Sequence, residues 1–125
     1  MRTLLGVLLL LVCLPSVAQS DYACGRYAVW KEARGESLRV RRAVLDTIQN
    51  RARKADKGLC NVLRKPYQFP YFKYGVKRVD KSWVTEYNAV LAAKPVLSED
   101  YIFFNTLRSP WGTGHRKIGN LYFAK

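Results

Sequence analysis

Nine Asp and Glu residues against twenty-two Lys and Arg leave this chain few groups for acid–base chemistry. Among them Glu32 stands apart by context. In a helix it shares a face with Ala28 and Val29, four and three residues earlier. A carboxyl on a partly apolar face has its charged form disfavoured, so its pKa rises into the range of a general acid. The competing reading is a surface glutamate paired with one of the many cations. Glu36 follows one turn later, where it also reads as a residue of the next helix start, beside Ser37.

Other chemistries find less support. His115 is the only histidine, no Cys, Asp or Glu group has metal-ligand spacing, and no metal or other cofactor is expected. There is no G-x-S-x-G nucleophile turn and no phosphate-binding glycine loop. His115 then reads as a polar, substrate-contacting residue of a loop.

These residues need elements to hold them. With 125 residues, the chain has room for one domain. Residues Asp21 to Arg34 read as a helix ended by Gly35. Ser37 caps a second helix, on which Val40, Ala43, Val44, Thr47, Ile48, Arg51 and Ala52 recur at the helical period. Arg39, Arg41, Arg42 and Arg53 fall off that face and should be solvated. Cys60 to Lys65 predicts a short helix stopped by Pro66, and the aromatic stretch Tyr67 to Tyr74, interrupted by Pro70, a loop. Asp80 or Ser82 should cap a further helix with Trp83, Tyr87, Val90 and Leu91 on one side. Tyr101 to Phe104 and Ile118 to Phe123 read as two strands of a hairpin joined by a long loop, Asn105 to Lys117. The class is α+β: several helices and a C-terminal β-hairpin.

The first 18 residues are of another kind. A positive start, an eleven-residue apolar run from Leu4 to Leu14, then Pro15 and the small residues Ser16 and Ala18 form the pattern of a secretory signal peptide. The run is too short for the roughly 20 apolar residues of a membrane span. A retained N-terminal anchor is the alternative. Cleavage after Ala18 leaves residues 19–125 as the working domain and takes the net charge from +13 to +12. It also removes Cys13, leaving Cys24 and Cys60. An oxidising compartment, periplasmic or extracellular, favours a disulfide between them over two separate thiols.

The local run Trp30-Lys31-Glu32-Ala33-Arg34-Gly35-Glu36 resembles the E-A-R-G-E signature of the spore-cortex-lytic type of cell wall hydrolase. Further blocks follow in the family's order. Val44 to Arg51, ending Gln49-Asn50-Arg51, resembles its V-x-x-V-x-x-N-R helix. Cys60 to Leu63 is similar to its C-x-V-V turn, and Gln68-Phe69 to its Q-F-S loop, with Pro70 in place of Ser. Tyr101 to Asn105 matches its aromatic strand ending in Asn. Ser109-Pro110-Trp111 and Ile118-Gly119-Asn120 resemble its last loop and strand, although Leu121 stands where the family usually has His.

The resemblance spans about residues 28 to 123 and implies a lysozyme-like fold that cuts peptidoglycan glycan strands. It implies that Glu32 is the catalytic acid and that Gln68, Phe69, Asn105, Trp111, His115 and Asn120 contact substrate. It further implies a lytic transglycosylase reaction, in which the muramyl 6-hydroxyl attacks the anomeric carbon. Hydrolysis would instead need a second carboxylate, about 5–5.5 Å away if retaining and about 6.5–9.5 Å if inverting. Glu36 and Asp46 are the nearest in sequence. The expected partners are peptidoglycan and the anionic cell envelope, met by a monomer without nucleic acid. Trp30, Tyr67, Phe69, Tyr71, Tyr74 and Trp111 are candidates to stack on sugars, whereas Trp83 and Phe103 read as core. A non-catalytic basic wall- or membrane-binding module and an exported nuclease, the latter suggested by charge alone, are the rival classes.

Overall fold

A computed structural model describes residues 20–65, 69–74, 76 and 81–125, with the backbone alone at 73 and 74. The expected signal segment 1–18 lies outside the described residues. So do Pro66, Tyr67, Gln68, Asp80 and the Tyr74 side chain.

Helix α1 spans Asp21–Ala33 and α2 Leu38–Ala55. Both begin on a serine. The Ser20 hydroxyl accepts from the Ala23 N–H and the Ser37 hydroxyl from the Val40 N–H, each filling one donor site left open by the first turn. Helix α1 stops at Ala33 with Arg34 as its right-handed cap. Gly35 follows the stop but takes no left-handed conformation. At the far end of α2, Asp56 does turn left-handed, at φ 52°, and its N–H closes on Ala52 and Arg53 carbonyls.

Helix α2 is the axis of the domain. It packs on α1, on the short helix α3 (Leu59–Leu63), on α4 (Ser82–Ala92) and on the sheet. Ten of its 18 residues are buried, so any charge on the inner faces must find a partner there. Arg42, read from periodicity as solvated, is only 7% exposed. The packing of α4 over α2 covers it, and it pairs with Asp46 one turn on, Nε to Oδ1 at 2.9 Å. Arg41 is half-buried, ion-paired to Glu86 and stacked over the Trp83 ring. Arg39 and Arg53 are exposed as expected.

Cys24 of α1 and Cys60 of α3 are joined by a disulfide, their Cα atoms 5.4 Å apart. The Asp21 carboxylate also accepts from the Leu59 N–H, so α3 is tied to α1 at two points. Helix α4 is preceded by Lys81 with no side-chain cap, and Ser82 is its first residue rather than its cap. It buries Trp83, Tyr87 and Val90, with the Trp83 indole donating to the Arg26 carbonyl. Leu91, expected on the same side, is 39% exposed. The segment 70–74, predicted as loop, is a 3₁₀ turn that buries Phe72 against Tyr27.

The C-terminal third is a three-stranded antiparallel sheet in the order β1-β3-β2, with β1 Phe103–Asn105, β2 Arg116–Ile118 and β3 Leu121–Ala124. Ile118 to Phe123 is therefore two strands rather than one. Gly119 and Asn120 form a two-residue hairpin loop between the paired Ile118 and Leu121. Gly119 has φ +57° and Asn120 a negative φ, the signs of a type II′ turn. A Cβ at Gly119 would also sit 2.6 Å from the Val40 side chain, so the turn can lie against α2 only as glycine. β1 pairs with β3, Phe104 opposite Phe123, and the loop 106–115 arches over the end of β3, where Thr113 and Lys125 exchange backbone bonds. Among the described residues, no helix is long and apolar enough to cross a membrane.

Candidate active site

Glu32 sits in the last turn of α1. Ala28 and Val29, on its side of the helix, are fully buried. The carboxyl itself is half-buried and lines a cleft of about 340 Å³ with Arg51, Phe69, Phe103, Phe104, Asn105, Thr106 and Leu121. Burial raises the Glu32 pKa above the ordinary carboxylate value, while Tyr71 and the Arg51 charge pull it back in part. The Tyr71 hydroxyl is buried and has no partner at full hydrogen-bonding distance. Its effect on the Glu32 pKa places it beside that carboxyl. Burial and the neighbouring carboxylate both push the Tyr71 phenol far up, so it stays a proton donor.

Two neighbouring residues of α2 hold the segment that forms the cleft's β1 side, and one of them, Arg51, lines the cleft itself. Asn50 donates from its amide to the carbonyls of Ser98 and Tyr101, at 3.0 and 2.9 Å, and so fixes the segment that leads into β1. Arg51 donates to the Ile102 carbonyl, and its guanidinium lies 5.4 Å from the ring centres of both Phe69 and Phe103. A cation held between two rings and beside a carboxylate is oriented from several sides. Periodicity had placed Arg51 on the inward face of α2, a long charged residue among small apolar ones. That position was the available signal for its role.

Phe69 and Asn105 line this cleft with Glu32, but Phe69 is only 4% exposed and packs on Tyr71 and Phe104, so its ring is not free to stack on a sugar as expected. A second concavity of about 290 Å³ shares Phe103, Phe104 and Asn105 with it and adds Trp111 and His115. The His115 Nε2 meets the Trp111 carbonyl at 3.1 Å, and Trp111 is 79% exposed. Asn120 is not part of either. Its amide donates to Glu36 Oε1 at 3.1 Å, tying the hairpin turn to the α1–α2 connection. Phe103, read as core, is 43% exposed and borders both concavities, because alternation along β1 turns it to the face opposite the more buried Phe104. Trp83 is core as expected.

The two carboxylates considered as partners for Glu32 have other work. Asp46 is buried, and its oxygens take Arg42 Nε and the N–H groups of Val96 and Leu97, at 2.7 and 3.0 Å for the latter two. Glu36 holds Asn120. Among the described residues that line the cleft, Glu32 is the only carboxylate. A larger concavity of about 680 Å³ lies between α1, α2 and α4, but its acids are structural: Asp21 binds α3 and Asp56 caps α2. Compared with protein-family models, curated proteins and solved structures, the chain matches none.

Proposed function

We propose that this chain is an exported enzyme that cleaves the glycan strand of peptidoglycan between its muramyl and glucosaminyl sugars, with Glu32 as general acid and then base. The reading rests on the ordered motifs, and one observation carries it furthest. A half-buried carboxyl with a raised pKa lines an aromatic cleft in which no second described carboxylate stands beside it.

That arrangement suits a lytic transglycosylase of lysozyme-like type. Protonated Glu32 gives its proton to the glycosidic oxygen as the bond from that oxygen to the anomeric carbon breaks. The carboxylate so formed takes the proton of the muramyl 6-hydroxyl as that oxygen bonds to the same carbon. A 1,6-anhydro end results and Glu32 is regenerated. The intramolecular hydroxyl supplies the nucleophile at high effective concentration, in place of a water with its own base. Arg51 and Tyr71 stabilise the intermediate carboxylate, and the exposed rings of Phe103 and Trp111 offer apolar surface to the sugars. The disulfide and the strong positive charge are consistent with work outside the cytoplasm on an anionic wall.

Glu32→Gln keeps the shape of the side chain and removes the proton. It should fold as wild type by circular dichroism and lose at least about 10²-fold in turnover of purified peptidoglycan, the scale of general acid catalysis. Unchanged turnover overturns the assignment.

A further inference from the structure

On the other side of Arg51 and Phe103 from the Glu32 cleft lies a groove of about 500 Å³ between the end of α2, α3 and the start of β1. Five cations border it: Arg51, Lys54, Lys57, Arg64 and Lys65. Among its described lining residues there is no acid. Helix dipoles account for cations at the C-terminal ends of α2 and α3, where Lys54 and Arg64 lie. Lys57 and Lys65, each directly after a helix cap, border the same space, so two helix ends bring their cations to one groove. The surroundings' charge is not uniform, since the next concavity past Lys54 and Ile102 carries Glu99 and Asp100. The groove floor is partly apolar, with Val62, Ile102 and the Phe103 ring, and the Asn61 side chain stands at its edge. Its volume falls in the range of roughly 300–1,000 Å³ typical of sites for small organic ligands.

We propose that this groove seats the acidic peptide stem carried by the muramyl sugar of the strand in the Glu32 cleft. The inference rests on the glycan-cleaving reading and names the part of the substrate that reading leaves out. Arg51 and Phe103 border both spaces, so the groove is the concavity next to the Glu32 cleft and a chain branching from a sugar there need only cross these two side chains to reach it. Stem carboxylates meet the lysines, the short aliphatic side chains meet the apolar floor, and Asn61 is placed to bond the peptide backbone. A phosphate polymer would answer to the charge but has no use for the apolar floor.

The test uses the Glu32→Gln protein, so that binding is read without cleavage, and calorimetric titration with soluble glycan strands. One set keeps its stems; the other has lost them to an amidase and retains only the lactyl carboxylate. Stem-bearing strands should bind about tenfold tighter, the scale of a few exposed ion pairs acting together. Adding Lys54→Gln, Lys57→Gln and Lys65→Gln, all at exposed positions, should erase that difference and leave binding of stripped strands unchanged. Equal affinity for the two strands overturns the proposal, and so does an equal weakening of both by the triple variant, which would show only a long-range field. A poly(glycerol phosphate) chain whose binding falls tenfold in the triple variant, while strand binding does not, assigns the groove to phosphate and also overturns it. Wild-type protein that shows the stem preference yet cleaves neither strand refutes the enzymatic reading alone. Cleavage with no stem preference refutes the groove alone.

Discussion

Replacing Asp46 separates a structural carboxylate from a catalytic one. Its oxygens hold the buried Arg42 guanidinium and two backbone N–H groups of the segment after α4. In Asp46→Asn the side-chain oxygen can keep the bonds to Val96 and Leu97. The new amide nitrogen then faces Arg42 Nε, donor against donor, and the buried cation loses its counter-charge. Breaking a buried pair in this way costs about 3–5 kcal/mol. Arg42 also donates to the Val90 and Leu91 carbonyls, which places the cost near the lower end, at about 3 kcal/mol. For a domain of this size each kcal/mol moves Tm by about 4–8 °C, so Tm should fall by about 12–24 °C. Asp46→Ala strands both N–H groups as well and should fall further, close to the whole stability of a small domain. Thermal unfolding by circular dichroism gives the shift. Peptidoglycan turnover measured well below the lowered Tm should stay within a few fold of wild type. An Asp46→Asn protein that melts with wild type but loses 100-fold in turnover would refute the reasoning, because Asp46 would then be the second carboxylate that a hydrolase needs.

Two further outcomes follow from the same geometry. Glu32 must start protonated, so kcat/KM should fall as pH rises through its folded pKa, on a limb above the ordinary glutamate value of 4.5. The same raised pKa makes its contribution to stability full below 4.5 and lost as pH rises through the folded value. Tyr71→Phe removes an interaction that lowers that pKa, so the limb should move to higher pH, with little change in Tm because the hydroxyl has no formed bond to lose; a limb that stays or moves down contradicts the placement of Tyr71. For the disulfide, unfolded, unreduced protein taken from an exporting host should show no free thiol if residues 1–18 are removed and one, Cys13, if they are retained. Cys24→Ala with Cys60→Ala, at a separation of 36 residues, should cost about 4 kcal/mol by the loss of loop constraint, and two thiols in the processed wild type, or three in the unprocessed one, would contradict the pairing.

What the sequence makes legible here is what local rules decide. The period of α2, the Ser37 cap and the place of Glu32 above Ala28 and Val29 all depend on residues within one helix. Arg42 was misread because periodicity sees one apolar face, whereas α2 is covered by α4 on a second side and imports its own counter-charge. The β2–β3 turn was missed because Gly119-Asn120 sits inside a continuous run of strand formers, and a two-residue turn breaks it by backbone sign alone. The Phe103 side chain went to the wrong side for a related reason: which face of β1 is covered depends on what packs on the sheet, here α2, a contact that no spacing within the strand encodes. The Glu32 cleft lies between these cases. Its acid was visible, and so were Phe69 and Asn105 through the motifs. The Tyr71 hydroxyl and the sandwiching of Arg51 between Phe69 and Phe103 appear only when α1, α2, the 3₁₀ turn and β1 meet.

The central claim, that Glu32 works without a second carboxylate, is tested most directly by mass spectrometry of the products formed from purified glycan strands in water enriched in heavy oxygen. The account predicts 1,6-anhydromuramyl ends that carry no oxygen from the solvent. Reducing muramyl ends bearing the heavy isotope would contradict it.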